Sequence, residues 1–184
     1  MKPLQLLPIG NVDNGLLQDL RPALEETFRV PATVLPVHLD PEFAFHGERQ
    51  QYHSSEILRR MVSQQDGESW RVLGIAAVDL YIPILTFVFG EAQMGGPCAV
   101  LSAHRLHQEF YGLPHDGELF RERLLKEAVH ELGHTLNLTH CSDYRCVMAS
   151  SHAVEWIDLK ESKLCGACQA AVTPAPQIQS VRNY

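Results

Sequence analysis

The sequence predicts a mixed α/β fold on three observations. Strand-like and helix-like runs alternate as β-α-β-α-β up to residue 80, a pair of short apolar runs follows, and a long amphipathic helix comes after them. With 184 residues, 45% of them hydrophobic and 20% charged, the chain is long enough to bury one substantial core and too apolar to be disordered.

MKPLQLLPIG at the start reads as the first strand. Its apolar run is short and interrupted by Gln5 and Pro8, so it does not read as a secretory signal, and a cytoplasmic location is expected. Residues 13–28 place Leu16, Leu17, Leu20, Leu24 and Phe28 at helical spacing, and TVLPVHL (33–39) reads as a second strand. A polar, turn-rich stretch (40–53) leads to a helix over 54–65, with Ser54 or Ser55 as its N-cap. RVLGIAAVDL (71–80) is apolar almost throughout, as expected of a strand covered on both faces.

Pro83 interrupts the next segment. TFVFG (86–90) then reads as a short strand with Phe87 and Phe89 packing inward, Gly95 and Gly96 mark a turn, and CAVLS (98–102) reads as the partner strand. Phe120, Leu124, Ala128, Val129 and Leu132 keep helical spacing within a helix expected from Glu118 to Leu136. A short helix is expected over 153–164.

Charge excludes some partners. A formal net charge of −7 argues against non-specific binding to nucleic acid or an anionic membrane. No run approaches the roughly 20 apolar residues of a membrane-spanning helix. Oligomeric state is not written in the sequence, and monomer is the default.

Chemistry concentrates in HELGHTLNLTHC, residues 130–141. His130 and His134 are four apart, so on a helix both imidazoles face one ion, while Glu131 points to a neighbouring direction where it can hold a water. The bare pentapeptide also arises by chance, but His140 adds a third donor. On a continued helix His140 would lie roughly 9 Å beyond His134, too far to share one ion, so the chain must turn sharply between them. Such turns need a residue at positive φ, normally Gly and sometimes Asn, and Asn137 stands there.

The five cysteines are at 98, 141, 146, 165 and 168. Cys141, Cys146, Cys165 and Cys168 can offer four thiolates to a structural zinc, the CxxC pair being a common half-site. Disulfides are the rival reading and need an oxidising compartment. Cys98 reads as a buried small hydrophobe. His38, His46, His53, His104, His107, His115 and His152 read as surface or satisfied polar residues, and Tyr144 as exposed.

The motif HExxHxxNxxHC, with Cys146, Met148 and Cys165–Cys168 downstream, resembles the archaemetzincin family of metzincin zinc metallopeptidases. DLYIPILTFVFGEA and AVLSAHRL are similar to the same family. The family pattern has Gly where Asn137 stands. The resemblance implies a metzincin-like fold, with a mixed twisted sheet, an active-site helix and a small zinc-bound C-terminal subdomain. It implies residues 1–170 as one catalytic domain, with an upper part (1–136), a lower part (137–170) and a tail (171–184).

It further implies two zinc ions. The catalytic one is held by His130, His134 and His140, with Met148 beneath it as the methionine turn, and the structural one by the four cysteines. Glu131 would be the general base in zinc-water hydrolysis of a peptide or protein substrate, laid extended along Thr86–Gly90. The alternative is a protein stabilised by the four-cysteine zinc that binds peptides or partners without cutting them.

Overall fold

The computed structural model describes residues 1–172. Twelve of the fourteen residues expected as the tail, 173–184, lie outside the described residues, and Ala171 belongs to the last helix instead.

Strand β1 (Leu4–Ile9) opens the chain and leads to helix α1 (Asn14–Phe28). The Asp13 side chain caps α1 by accepting from the Gly15 amide, and Arg29 ends it in the left-handed region at φ 54°. Strand β2 covers only Ala32–Val34, not 33–39. Pro36 has no N–H to give a ladder, so pairing to β1 lapses and returns as a single bridge between Ile9 and Leu39.

The stretch read as turns carries a hairpin, β3 (Phe45–His46) and β4 (Gln51–His53). Helix α2 (Ser54–Ser63) begins directly after it, with His53 rather than a serine at the N-cap position. Ser54 and Ser55 turn their hydroxyls to the Glu91 carboxylate at 2.5 and 2.8 Å. Both serines already lie inside the helix, so their hydroxyls serve the carboxylate instead of capping the helix.

Strand β5 (Arg71–Ala76) is shorter than expected, because the chain bends and Leu80–Tyr81 joins β4 as strand β6 in a separate three-stranded sheet, β3-β4-β6. Strand β7 is Gly90–Ala92, displaced from the expected 86–90, where ahead of Gly90 only Val88 makes a bridge, to Leu80. Side chains hold the carbonyls that a ladder would have used: Arg49 donates to Leu85 O (2.6 Å) and Gln51 to Thr86 O (2.9 Å). Phe89 is buried and Phe87 partly so, packed edge to face.

Strand β8 (Cys98–Ser102) lies between β5 and β7. The main sheet runs β2-β1-β5-β8-β7, parallel except for antiparallel β7, which is an edge. Helix α3 (Gly117–Thr135) follows, capped by Asp116, within one residue of expectation at each end. Helix α4 is only Val154–Leu159, because Lys160 is already extended at ψ 155°, and α5 (Gly166–Ala171) ends the described chain.

Alternation along the strands makes three layers. Leu4, Leu6, Leu73, Ile75, Ala99 and Leu101 pack on α1 and α3, while Leu7, Ile9, Val72, Cys98 and Val100 pack on α2. Cys98 is fully buried there, and burial pushes its thiol up to about 11, so it behaves as a small hydrophobe. No helix among the described residues is long and apolar enough to cross a membrane. The arrangement leaves the C-terminal end of α3 beside edge strand β7.

Candidate metal centre

The last turns of α3 place His130 and His134 on one face, and the helix then stops in a Schellman motif. Leu138 N–H donates to Gly133 O (3.1 Å) and Asn137 N–H to His134 O (3.0 Å), with Asn137 at φ 66°. The reversal brings His140 back against the helix, with ring centroids 5.3 Å from His130 and 5.1 Å from His134. One nitrogen from each of the three rings lies within 4.8 Å of the others.

Neighbouring structure makes room for Asn137. Gly95, in the β7–β8 turn, also donates to His134 O (3.0 Å), and a Cβ on Gly95 would lie 2.6 Å from Asn137 Oδ1. Gly95 itself is at φ +65°. The edge hairpin and the third-histidine turn therefore meet where glycine at 95 leaves the room that the Asn137 side chain fills.

Hydrogen bonds fix the tautomers. His130 Nδ1–H donates to Val147 O (2.8 Å) and His134 Nδ1–H to Leu138 O (2.7 Å). Both Nε2 atoms therefore carry lone pairs, and they face each other at 3.1 Å. Two acceptors at that distance repel unless a cation lies between them. Zinc–nitrogen bonds of about 2.0–2.1 Å put tetrahedral nitrogens roughly 3.3 Å apart, so the donor set fits zinc. Burial is the first cause holding His130, His134 and His140 below the ordinary histidine value, which keeps the rings neutral and able to ligate.

Glu131 is buried beside the histidines, and burial, with Glu127 adding repulsion, raises its carboxyl well above the usual range. It borders a cleft of about 500 Å³ that is also lined by the three histidines, Phe87 and His152. Strand β7 closes on it: a Cβ at Gly90 would lie 2.5 Å from Glu131 Oε1, so only glycine lets the strand run this near. Met148 is fully buried, and its sulfur occupies the space a side chain at Gly133 would need.

Cys141, Cys146, Cys165 and Cys168 form a second cluster, their sulfurs all within 4.8 Å of one another and Cys141–Cys165 at 3.8 Å. Thiolates around a zinc at about 2.3 Å are roughly 3.8 Å apart. The Cys168 backbone amide is the first cause lowering Cys165 to about 7, while burial and the neighbouring sulfurs raise Cys168. A cation would relieve that crowding of sulfur. Cys141 N–H donates to Met148 O (2.9 Å), which ties this cluster to the methionine turn.

Among the described residues only these two groups gather three or more such donors. Of the other histidines, His107 stacks on Phe120 and His115 pairs with Glu109; Tyr144 is exposed. Sequence reasoning missed Gly90, Gly95, Glu127 and Lys160. Glu127 was within reach of it, since residues 127, 130, 131 and 134 share one helix face.

Comparison with known proteins places these features in a group. The sequence model of peptidase family M54 matches residues 17–173. The chain is 40% identical to an archaemetzincin of Methanocaldococcus jannaschii over 88% of this chain and 87% of that protein. It is similar in structure to the malonate-complexed archaemetzincin of Archaeoglobus fulgidus, with a TM-score of 0.81 and 36% identity over 92% of this chain and 99% of that one. A zinc-dependent peptidase of Methanocorpusculum labreanum gives a TM-score of 0.83 at 26% identity, covering 92% and 100%.

Proposed function

The chain belongs to peptidase family M54, the archaemetzincins, and is a zinc-dependent metallopeptidase; we propose that His130, His134 and His140 hold its catalytic zinc and that Glu131 is the general base. The observation that carries this is the pair of Nε2 lone pairs facing at 3.1 Å, each fixed by a backbone carbonyl on the far side of its ring. Cys141, Cys146, Cys165 and Cys168 hold a second, structural zinc, closed by four sulfurs, so that each chain carries two ions. Met148 packs beneath the catalytic site, and Asn137 supplies the left-handed turn that delivers His140.

When bound, the catalytic zinc supplies a Lewis acid that polarises a carbonyl and lowers the pKa of water. Glu131 does the proton work. Its raised carboxyl makes it a stronger base than an exposed glutamate, suited to take the proton of the attacking water and return it to the leaving amine. The substrate lies extended along Thr86–Gly90, the segment that leads into edge strand β7, and backbone pairing there gives affinity with little demand on sequence. Gly90 lets that strand approach Glu131, so substrate edge and base share one wall of the cleft.

Residues 1–136 form the upper part of this catalytic domain and 137–170 the lower part. The protein acts as a cytoplasmic monomer on a peptide or protein substrate. A degenerate peptide library, incubated with wild type and with Glu131→Ala at equal zinc content, tests the reading. Cleavage by wild type falling about 10²–10⁴-fold in the variant is expected; cleavage persisting in Glu131→Ala would overturn the role of the base, and a wild type that binds peptides uncut would favour a binding protein.

A further inference from the structure

Glu127 and Lys160 form the only described ion pair in which both side chains are almost wholly buried, at 3% and 1% side-chain exposure, with Oε1 and Nζ 3.3 Å apart. Such a pair is costly. Apolar residues of similar volume would often hold α3 against the segment after α4 equally well. Its position suggests what it is for. Lys160 Nζ also donates to Val147 O (3.3 Å), the same carbonyl that receives His130 Nδ1–H at 2.8 Å. Glu127 sits one turn before His130 on the helix face that carries His134 and Glu131.

We propose that Glu127 and Lys160 are positioning residues, a buried pair of zero net charge that sets the zinc affinity of the histidine site through the shared Val147 carbonyl. This rests on the assignment of the catalytic zinc to His130, His134 and His140. The two members act on a dication with opposite sign. The ammonium repels it through a water-poor interior and draws electron density from the carbonyl that orients His130. The carboxylate cancels that charge. Removing Glu127 alone leaves a buried cation beside the zinc site. Removing Lys160 alone leaves a buried carboxyl that takes up a proton and becomes neutral, and it leaves Val147 O to His130 alone.

The test is zinc affinity at the histidine site, measured by competition with a chromophoric chelator on the full chain carrying its cysteine-bound zinc. Glu127→Gln should bind zinc about 10–100-fold more weakly, the range for lost support of a metal ligand. Lys160→Met should bind no more weakly than wild type, and the double variant should return to within about threefold of it. If both single variants weaken binding and the double is no better than Glu127→Gln, the pair is only a structural brace and the proposal fails. Glu127→Gln with unchanged affinity also overturns it.

Should Glu127→Gln not fold, Glu127→Asp keeps the charge while withdrawing reach: wild-type affinity supports charge balance, and a tenfold loss contradicts it. Chelatable zinc that survives His130→Gln in the otherwise wild-type chain would instead overturn the ligand assignment, an outcome distinct from each of these.

Discussion

The histidine and cysteine clusters bring ligands together by opposite means. Two of the three histidines hang from a 19-residue helix packed on a five-stranded sheet, and their rings are aimed by backbone carbonyls. The cysteines come from a loop and from a six-residue helix, three of them are only partly buried, and the amides that reach their sulfurs, such as Cys165 N–H to Cys146 Sγ at 3.3 Å, come from within the cluster or the adjoining methionine turn. The first site is therefore organised before metal arrives. On the assignment proposed above, the second is organised by its metal, whose binding energy there is also folding energy. That assignment makes one site open and chemical because the fold holds it, and the other closed because it holds the fold.

Four changes sharpen or break that contrast. The largest is Gly90→Ala, which puts a methyl 2.5 Å from Glu131 Oε1. Displacing a catalytic group by about 1 Å costs on the order of 10²-fold in rate; steady-state kcat on a cleaved peptide should fall by that order while zinc content stays the same. A loss of either zinc would mean that the strand holds the metal sites rather than the base.

Cys165→Ser should release the cysteine-bound zinc and lower the thermal midpoint. Through the Cys141–Met148 hydrogen bond it should also weaken zinc at the histidines by about tenfold, the lower end of such effects. Unchanged affinity and activity would show that the two sites are independent. The reverse change, His134→Gln, should leave the cysteine zinc in place.

Acid separates the sites in a third way. Burial holds His130, His134 and His140 below the ordinary 6.5, so below that pH the folded protein without catalytic zinc binds fewer protons than the unfolded chain. The stability they contribute is present above pH 6.5 and lost as pH falls through their folded values. The thermal midpoint of protein stripped of that zinc should drop as pH falls below about 6.5, and the drop should be shallower in His130→Gln. An equal slope in both proteins would contradict the burial argument.

The smallest effect is at the hinge between edge strand and turn. Gly95→Ala meets Asn137 and a φ of +65°, and should cost about 1 kcal/mol or more by denaturant unfolding. Asn137→Gly removes that collision, so the double variant should recover part of the loss. Simple additivity would mean that the two residues do not touch in solution.

The histidine motif and the need for a turn at Asn137 were legible because each rests on local spacing: helix periodicity, helix rise and the reach of a metal bond. Helix α3 was legible to within a residue for the same reason. The grouping of four cysteines rested on one CxxC half-site and on the family resemblance. What was not legible depends on partners distant in sequence. TFVFG reads as a strand, yet Arg49 and Gln51 occupy the carbonyl of Thr86 at its start, and β7 begins only at Gly90. Ser54 and Ser55 read as helix caps, yet Glu91 captures both hydroxyls. Lys160 looks like any lysine near the end of a helix until the fold buries it against Glu127.

The Asn137 turn is held from the edge hairpin as well, because Gly95 N–H donates to His134 O. It shares that carbonyl with Asn137 N–H, so hairpin and turn meet on one acceptor.

Zinc stoichiometry during graded chelation tests the central claim most directly, with peptide cleavage followed in the same sample. The account predicts two zinc ions per chain, the first removed by mild chelation together with all cleavage and the second released only on unfolding. A chain with one zinc, or one whose cleavage survives removal of the first ion, would contradict it.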